Sequence, residues 1–286
     1  MITINPKDVS IPHLHSYLQG AVAPRPIALA STMDKEGNIN LSPFSFFNVF
    51  GTNPPTLIFS PNRRVRDGSN KHTLENVLEH DEVVINMVDY AMVEQMSLTS
   101  CEYEKGVNEF KKAGFTEGVS VMVKPPRVVE SKAVFECKVK QVIQMSEAGG
   151  SPNLVICEVI LAHFADEILD NHGFIDQTKT DWVARLGGDW YCRASGNALF
   201  EVPKPNIHKG IGVDALPSFI TSNSAFTRNE LGRLANVEQI PTSLEVEEFI
   251  ENNPIMYDDE LVKTLLQQGK VKQAWLVLLS TSAANW

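Results

Sequence analysis

The 286-residue chain is predicted to be mainly β, a β-barrel with flanking helices that runs into a C-terminal helical extension. Three observations carry that expectation. Short β-capable runs separated by turn residues crowd the first 90 positions, a long alternating ribbon occupies residues 133 to 164, and beyond residue 200 capped segments with helical spacing take over. The predicted division is therefore a barrel domain over residues 1–200 and a helical extension over 201–286.

In chain order, IALASTM (27 to 33) reads as a strand, DKEGN as a turn, and INLSPFSFFNVF as the returning strand of a hairpin. After Pro54 and Pro55, TLIFS is a short strand, and beyond a basic loop HTLENVLEH shows the helical spacing Leu74, Val77, Leu78. EVVINMV (82 to 88) is a strand, AMVEQMSLTS a helix, and VNEFKKAG a short helix closed by Gly114. From Phe135 the pattern alternates, placing Phe135, Cys137, Val139, Ile143 and Met145 on one face. EAGGSPN then turns the chain into LVICEVILAHF, which makes a long hairpin of the kind that wraps a barrel.

EVPKPNIHKGIGVD, rich in Pro and Gly, marks the boundary. In the extension, TRNE (227 to 230) and SLEVEEF (243 to 249) carry helix-capping signals, and DDELVKTLLQQG with KVKQAWLVLLS makes a helical hairpin broken at Gly269.

Composition narrows the function classes. Hydrophobic residues at 43% suffice for a full core, and a net charge of -10 argues against nucleic acid and anionic membrane as partners. No apolar stretch is long enough for a membrane helix, and the N-terminus lacks a basic leader followed by an apolar run, so a cytoplasmic location is expected. Cys101, Cys137, Cys157 and Cys192 are too widely spaced for a zinc clip or redox dithiol, and burial is expected for all four, with Cys192 alone near enough to a motif to approach a cofactor. His13 and His15, placed on a strand, lack the acidic or thiol partners of a metal site, and none is assigned.

Against this acidic background NRRVRDGSNKH is a cationic cluster, with Arg63, Arg64, Arg66 and Lys71 beside His72. Alone it reads as a solvated loop. Joined by Ser31 and Thr32 at a strand end, Ser45 and Asn48 in PFSFFN, and Lys71, His72 and Thr73 opening a helix, it supplies what a flavin mononucleotide needs. The ring wants an apolar slot with polar groups at its edge, and the phosphate wants hydroxyls, cations and a helix N-terminus. No nucleophile elbow, phosphate-binding loop or Gly-rich dinucleotide turn competes with this reading.

RPIALASTMDKEGNINLSPFSFFNVFGTNPPTLIFSP resembles the opening of the flavin reductase-like family, the FMN-binding split barrels that include flavoredoxins. The family's Lys-Asp-Thr with Asn three residues on appears as Lys71, His72, Thr73 and Asn76, so no carboxylate role carries over to His72. KGVNEFKKAGFT, PPRVVESKAVFECKV and RLGGDWYCR extend the resemblance over residues 20 to 195.

The resemblance implies Ser31 and Thr32 near the ribityl chain or phosphate, Ser45, Phe46, Phe47 and Asn48 along the ring, and Ser60 and Arg64 toward the ribityl and phosphate end. It implies Lys71, His72 and Thr73 at the phosphate, and Arg185, Gly188 and Tyr191 near the pocket or across a dimer interface. It further implies a homodimer and an NAD(P)H-dependent flavin reductase-like oxidoreductase, with hydride passing through flavin N5 and no catalytic side chain required. Two alternatives stay open: a flavoredoxin-type FMN electron carrier that docks to a redox protein and does not oxidise nucleotide itself, and a binding module that has lost flavin.

Overall fold

The structure, a computed structural model, describes residues 1–202, 209–253 and 257–280. The chain divides into two compact units, Met1–Phe200 and Glu201–Trp286. The middle of the Pro/Gly-rich boundary segment, residues 203–208, lies outside the described residues.

The first unit begins with helix α1 (Ile11–Ala21), so His13 and His15 stand on a helix and not on the expected strand. Strands β1 (Ala28–Met33), β2 (Ile39–Phe44), β3 (Phe47–Thr52) and β4 (Pro55–Phe59) follow, then α2 (His72–Glu79), β5 (Glu82–Met87), α3 (Val93–Leu98) and α4 (Glu109–Ala113). Gly114 closes α4 in the left-handed conformation at φ 70°. Two-residue strands β6 (Glu117–Gly118) and β7 (Arg127–Val128) precede the long pair β8 (Ala133–Gln144) and β9 (Asn153–Phe164), and the hairpin β10 (Trp182–Arg185) with β11 (Tyr191–Ala194) ends the unit.

One sheet of seven strands, in the order β2-β1-β5-β8-β9-β4-β3, forms the body. INLSPFSFFNVF is not one strand but two, which sit at opposite ends of that order with only Ser45 and Phe46 between them. Three Cα steps reach at most about 11 Å, so the sheet must curl until its edges nearly meet. Among the described residues no ladder joins β2 to β3, and the barrel is split there.

Its interior holds Ala28, Ala30, Phe44, Phe47, Phe59, Val83, Ile85, Cys137 and Cys157, and α2 adds Leu74 and Val77. Ile27, Leu29 and Leu41 face the other way, onto Met96, Phe110 and Val183. Both sides of β1 are thus covered, which is why IALASTM reads as a continuous apolar run.

The alternation expected along β8 fails half-way. Phe135, Cys137 and Val139 pack on the interior, but the register shift at Val139/Gln141 brings Val142 inward in place of Ile143, and Met145 is 62% exposed. Cys101 is exposed and Cys192 half-buried, against the burial expected of all four cysteines, because both lie beyond the sheet interior that encloses Cys137 and Cys157.

The second unit is helical. It contains α5 (Ser218–Thr221), α6 (Arg228–Leu234), α7 (Ser243–Asn252), α8 (Asp259–Gln267) and α9 (Val271–Ser280), packed around Trp275, whose Nε1 donates to Leu234 O at 3.0 Å. Thr227 and Glu230 form a capping box; the second box is closed by Thr242 with Glu245, one residue before the segment the sequence singled out. Gly269, at φ 75°, separates α8 from α9.

On the outer side of β8, Glu136 is fully buried and accepts from Val121 N at 2.8 Å and Met122 N at 2.6 Å, with His163 Nε2 at 2.7 Å. Burial pushes this carboxyl up, but the two main-chain donors and His163 outweigh it, and its pKa lies below the ordinary value. A depressed carboxyl stabilises the fold above its unfolded pKa, and that contribution is lost as pH falls through the folded one. Glu136→Ala is expected to cost about 2–4 kcal/mol in urea unfolding at neutral pH, with faster hydrogen exchange at Val121 and Met122. Unchanged exchange at both amides would remove the anchoring role.

Candidate functional site

Two concavities open beside the split. The larger, about 610 Å³, is lined by Ser45, Phe46, Phe47, Asn48, Phe50, Ile58, Phe59, Ser60 and Leu154, facing Ala21 to Pro26. It is an aromatic cleft. The smaller, about 50 Å³, is lined by Asn40, Ser42, Pro43, Arg64, Lys71 and His72, with Ser100 to Tyr103 and Glu109 across from them. Pro43 and Ser45 are two Cα steps apart, about 7 Å at most, so the cationic pocket and the cleft are neighbours along the same link.

Ser60 N donates to Phe46 O at 2.8 Å and holds the link against the end of β4. The Ser60 hydroxyl is already engaged, donating to Asn62 Oδ1 at 2.8 Å and accepting from Asn153 N at 3.1 Å. Phe46 is 37% exposed and Asn48 is exposed, with Asn48 Oδ1 accepting from Val49 N at 2.8 Å.

The basic loop is a hydrogen-bonded turn with an exposed tip from Val65 to Asp67. Arg64 N donates to Ser69 O at 2.9 Å, Gly68 N to Arg64 O at 2.9 Å, and Asp67 accepts from Ser69 N and Oγ. The Arg64 guanidinium donates to Asn70 O and Ser69 Oγ and lies 3.4 Å from Glu102, which also meets Arg66 at 3.5 Å. Lys71 Nζ stands 5.6 Å from the centre of the Phe44 ring. Burial, then Arg64, push the Lys71 ammonium down, while Glu102 pulls it up.

Lys71 is the N-cap of α2 but gives it no side-chain cap, so the first N–H groups of the helix have no capping partner of that kind. Thr73, expected at the phosphate, lies inside the helix and is fully buried; its Oγ1 accepts from Asn40 Nδ2 at 2.8 Å. Asn76 Nδ2 donates to Thr32 Oγ1 at 3.0 Å. Thr73 and Asn76, three apart on one helix face, therefore tie α2 to β2 and β1.

Ser31 is also fully buried, and its Oγ has no partner among the described residues. Ser31, Thr32 and Thr73 are thus fully buried and do not line the pocket: Thr32 lies on the Ala28 and Ala30 face of β1 and meets Asn76 of α2, while Ser31 lies on the opposite face with Leu29.

The structure brings Ser45, Phe46, Phe47, Asn48 and Ser60 together at the cleft and Arg64, Lys71 and His72 together at the pocket. Arg185, Gly188 and Tyr191 line neither. Arg185 donates to Gly188 O at 2.7 Å and stacks 4.6 Å from Tyr191, while Gly188 turns the hairpin at φ 58°. Tyr191 and Cys192 line a separate cavity with Tyr90 and Arg193, which moves Cys192 away from the cleft.

Four residues of the site escaped the sequence reading. Asn40 sits two residues from Ser42 on the same face of β2, a spacing open to inspection. Glu109 carries no local signal: it is buried, accepts from Leu41 N at 2.9 Å, and burial pushes its carboxyl up. Glu102 faces the pocket only because α3 ends at Leu98. Arg25 is 6% exposed and lines the cleft.

Residues 21–180 match the model of the flavin reductase like domain. An uncharacterized protein of Aquifex aeolicus (strain VF5) is 39% identical over 189 residues, which cover 66% of this chain and 94% of that protein. Among solved structures, nitrilotriacetate monooxygenase component B from Bacillus cereus superposes with a TM-score of 0.66 at 28% identity, over 71% of this chain and 98% of that one. The Pseudomonas fluorescens 2-nitrobenzoate 2-nitroreductase NbaA follows with 0.65 and 27%, over 74% and 100%.

The turn between β8 and β9 clamps the basic loop: Arg63 N donates to Ser151 O at 3.0 Å and Gly150 N to Arg63 O at 3.1 Å. A Cβ on Gly149 would lie 2.6 Å from Val65 O. Gly149→Ala is expected to displace the loop at a cost of about 1–3 kcal/mol and to speed its cleavage by trypsin at Arg64 and Arg66. Wild-type stability and cleavage rate in this variant would show that the clamp is not tight.

Proposed function

The chain belongs to the flavin reductase-like family, and on that premise we propose that its Met1–Phe200 unit binds FMN and passes hydride from NADH or NADPH through it to an acceptor. The observation that carries the reading is the adjacency of an aromatic cleft and a cationic pocket on either side of Pro43 to Ser45.

The residues present fit such a molecule. The cleft's volume lies within the range of cofactor sites, and the pocket joins a guanidinium and an ammonium to an uncapped helix start, the donor set that suits a phosphate dianion. Its 50 Å³ is room for a few water-sized groups, about what a phosphate fills.

In this reading Arg64, Lys71 and the first N–H groups of α2 hold the phosphate, with His72 beside them. Phe46 and Phe47 wall the ring, and Ser45 and Asn48 meet its polar edge. Ser60 shapes the ribityl end, while Ser31, Thr32 and Thr73 are buried and do not line the pocket. The Arg185, Gly188 and Tyr191 hairpin acts through Arg25, with which Arg185 exchanges main-chain hydrogen bonds at 3.0 and 2.8 Å. Bound FMN would supply the hydride chemistry at N5; the side chains supply position, charge and exclusion of water, and none is nominated as acid or base.

The likeness to a monooxygenase component and a nitroreductase supports an oxidoreductase. A homodimer is part of the proposal: α1 buries no residue within the protomer, and Val49 and Phe50 on β3 are 61% and 64% exposed. The cytoplasm, which holds nicotinamide nucleotides, is the place it assigns; among the described residues no helix is long and apolar enough to cross a membrane.

Arg64→Ala and Lys71→Ala are each expected to weaken FMN about 10- to 100-fold while leaving riboflavin affinity unchanged, read by flavin fluorescence. An equal loss for both ligands would remove the phosphate seat. Steady-state NADH and NADPH oxidation, with and without free FMN, tests the activity: turnover is expected, a yellow protein inert to both nucleotides would be a carrier, and a colourless one that binds no FMN would end the proposal.

A further inference from the structure

Arg25 is a buried cation of the first unit whose charge the proposed function leaves unexplained. Its side chain lines the aromatic cleft, it is 6% exposed, and its guanidinium lies 5.8 Å from the centre of the Phe46 ring. Three carbonyls receive its Nη atoms: Gln19 O and Val22 O at 2.6 Å, and Leu186 O at 2.8 Å. Those bonds staple the end of α1 and the approach to β11 to the cleft wall. Neutral donors would serve that staple.

What the staple does not explain is the charge. Among the described residues no carboxylate lies within ion-pair distance of Arg25, and its Nε is buried without a partner. Arg185 adds a second cation nearby, and burial, then Arg185, push the Arg25 pKa below its ordinary value. A buried cation is ordinarily matched by an anion, and an unpaired buried donor calls for a ligand to meet it. The side chain of this one lies against the cleft, beside the Phe46 ring.

We propose that Arg25 is the electrostatic determinant of the cleft, matched to a flavin ring that has gained negative charge. The inference rests on the FMN reading. A nicotinamide nucleotide that loses hydride delivers two electrons and one proton, so the ring gains one unit of negative charge until another proton arrives. A fixed cation beside it then binds the reduced form more tightly than the oxidised form, which raises the potential of the bound cofactor.

The test is a reductive titration of the FMN-loaded wild type, Arg25→Lys, Arg25→Gln and Arg25→Met against a reference dye, with the affinity of oxidised FMN measured separately. Wild-type protein should hold FMN at a potential above that of free FMN. Arg25→Met and Arg25→Gln should weaken the reduced form relative to the oxidised form at least tenfold, a drop of about 30 mV for a two-electron couple, and Arg25→Lys should retain most of the wild-type potential. Arg25→Gln keeps amide donors for the staple and separates loss of charge from loss of structure. Neutral variants that match the wild-type potential would overturn the proposal, as would a wild-type potential below that of free FMN, which needs no variant. Failure of the wild type to bind FMN at all would instead remove the reading on which it rests.

Discussion

Ser45 and Phe46 connect the two strands that end the seven-stranded sheet, and a link this short obliges the sheet to close on itself. Because no ladder forms between β2 and β3, the link is pinned from β4 instead, through Ser60 N and Phe46 O. Phe46 can therefore turn outward at a place where a paired strand would bury it. The aromatic cleft opens on one side of the link and the cationic pocket on the other, and both would move if it lengthened.

Affinity for an anion depends on how far the cations are organised before it arrives. Two devices do that work. The basic loop is closed by its own main-chain bonds and wedged under the β8 to β9 turn, where Gly149 permits an approach that a side chain would block. The start of α2 is held by Asn40 to Thr73 and Asn76 to Thr32, two buried hydrogen bonds to different strands. Buried polar pairs of this kind are costly to leave half-made, so they fix the helix in one register against the sheet.

Much of this was legible in the sequence, for identifiable reasons. The long hairpin and the helical tail announce themselves through period and capping, which are local properties. The cationic loop was visible because four positive residues in nine stand out in an acidic chain. What failed depends on register and contact. One bulge in β8, between Val139 and Gln141, exchanges Ile143 for Val142 in the interior, and no residue type along the strand reports it. Ser31, Thr32 and Thr73 offer hydroxyls to a ligand in the sequence, but all three are fully buried in the structure, and burial is set by packing that a residue type does not report. Arg25 carries no sequence signal, because what sets it apart is the lack of a carboxylate partner among the described residues, which a sequence does not display.

Charge balance distinguishes the two ends of the site. At the pocket, Arg64 and Lys71 stand beside the Glu102 carboxylate, whose ion pair with Arg64 is exposed on the Glu102 side and open to competition from an incoming dianion. At the cleft, Arg25 meets carbonyl dipoles and, among the described residues, no anion, inside a wall of Phe and Pro where a charge is felt at greater range than in water. One end is suited to a charge that is always present on the ligand. The other is suited to a charge that comes and goes, since a permanent anion would satisfy Arg25 equally in every state and give it nothing to discriminate. That asymmetry follows from where the chain puts its carboxylates, and under the proposed function it lets the site favour one redox state of the ligand over another.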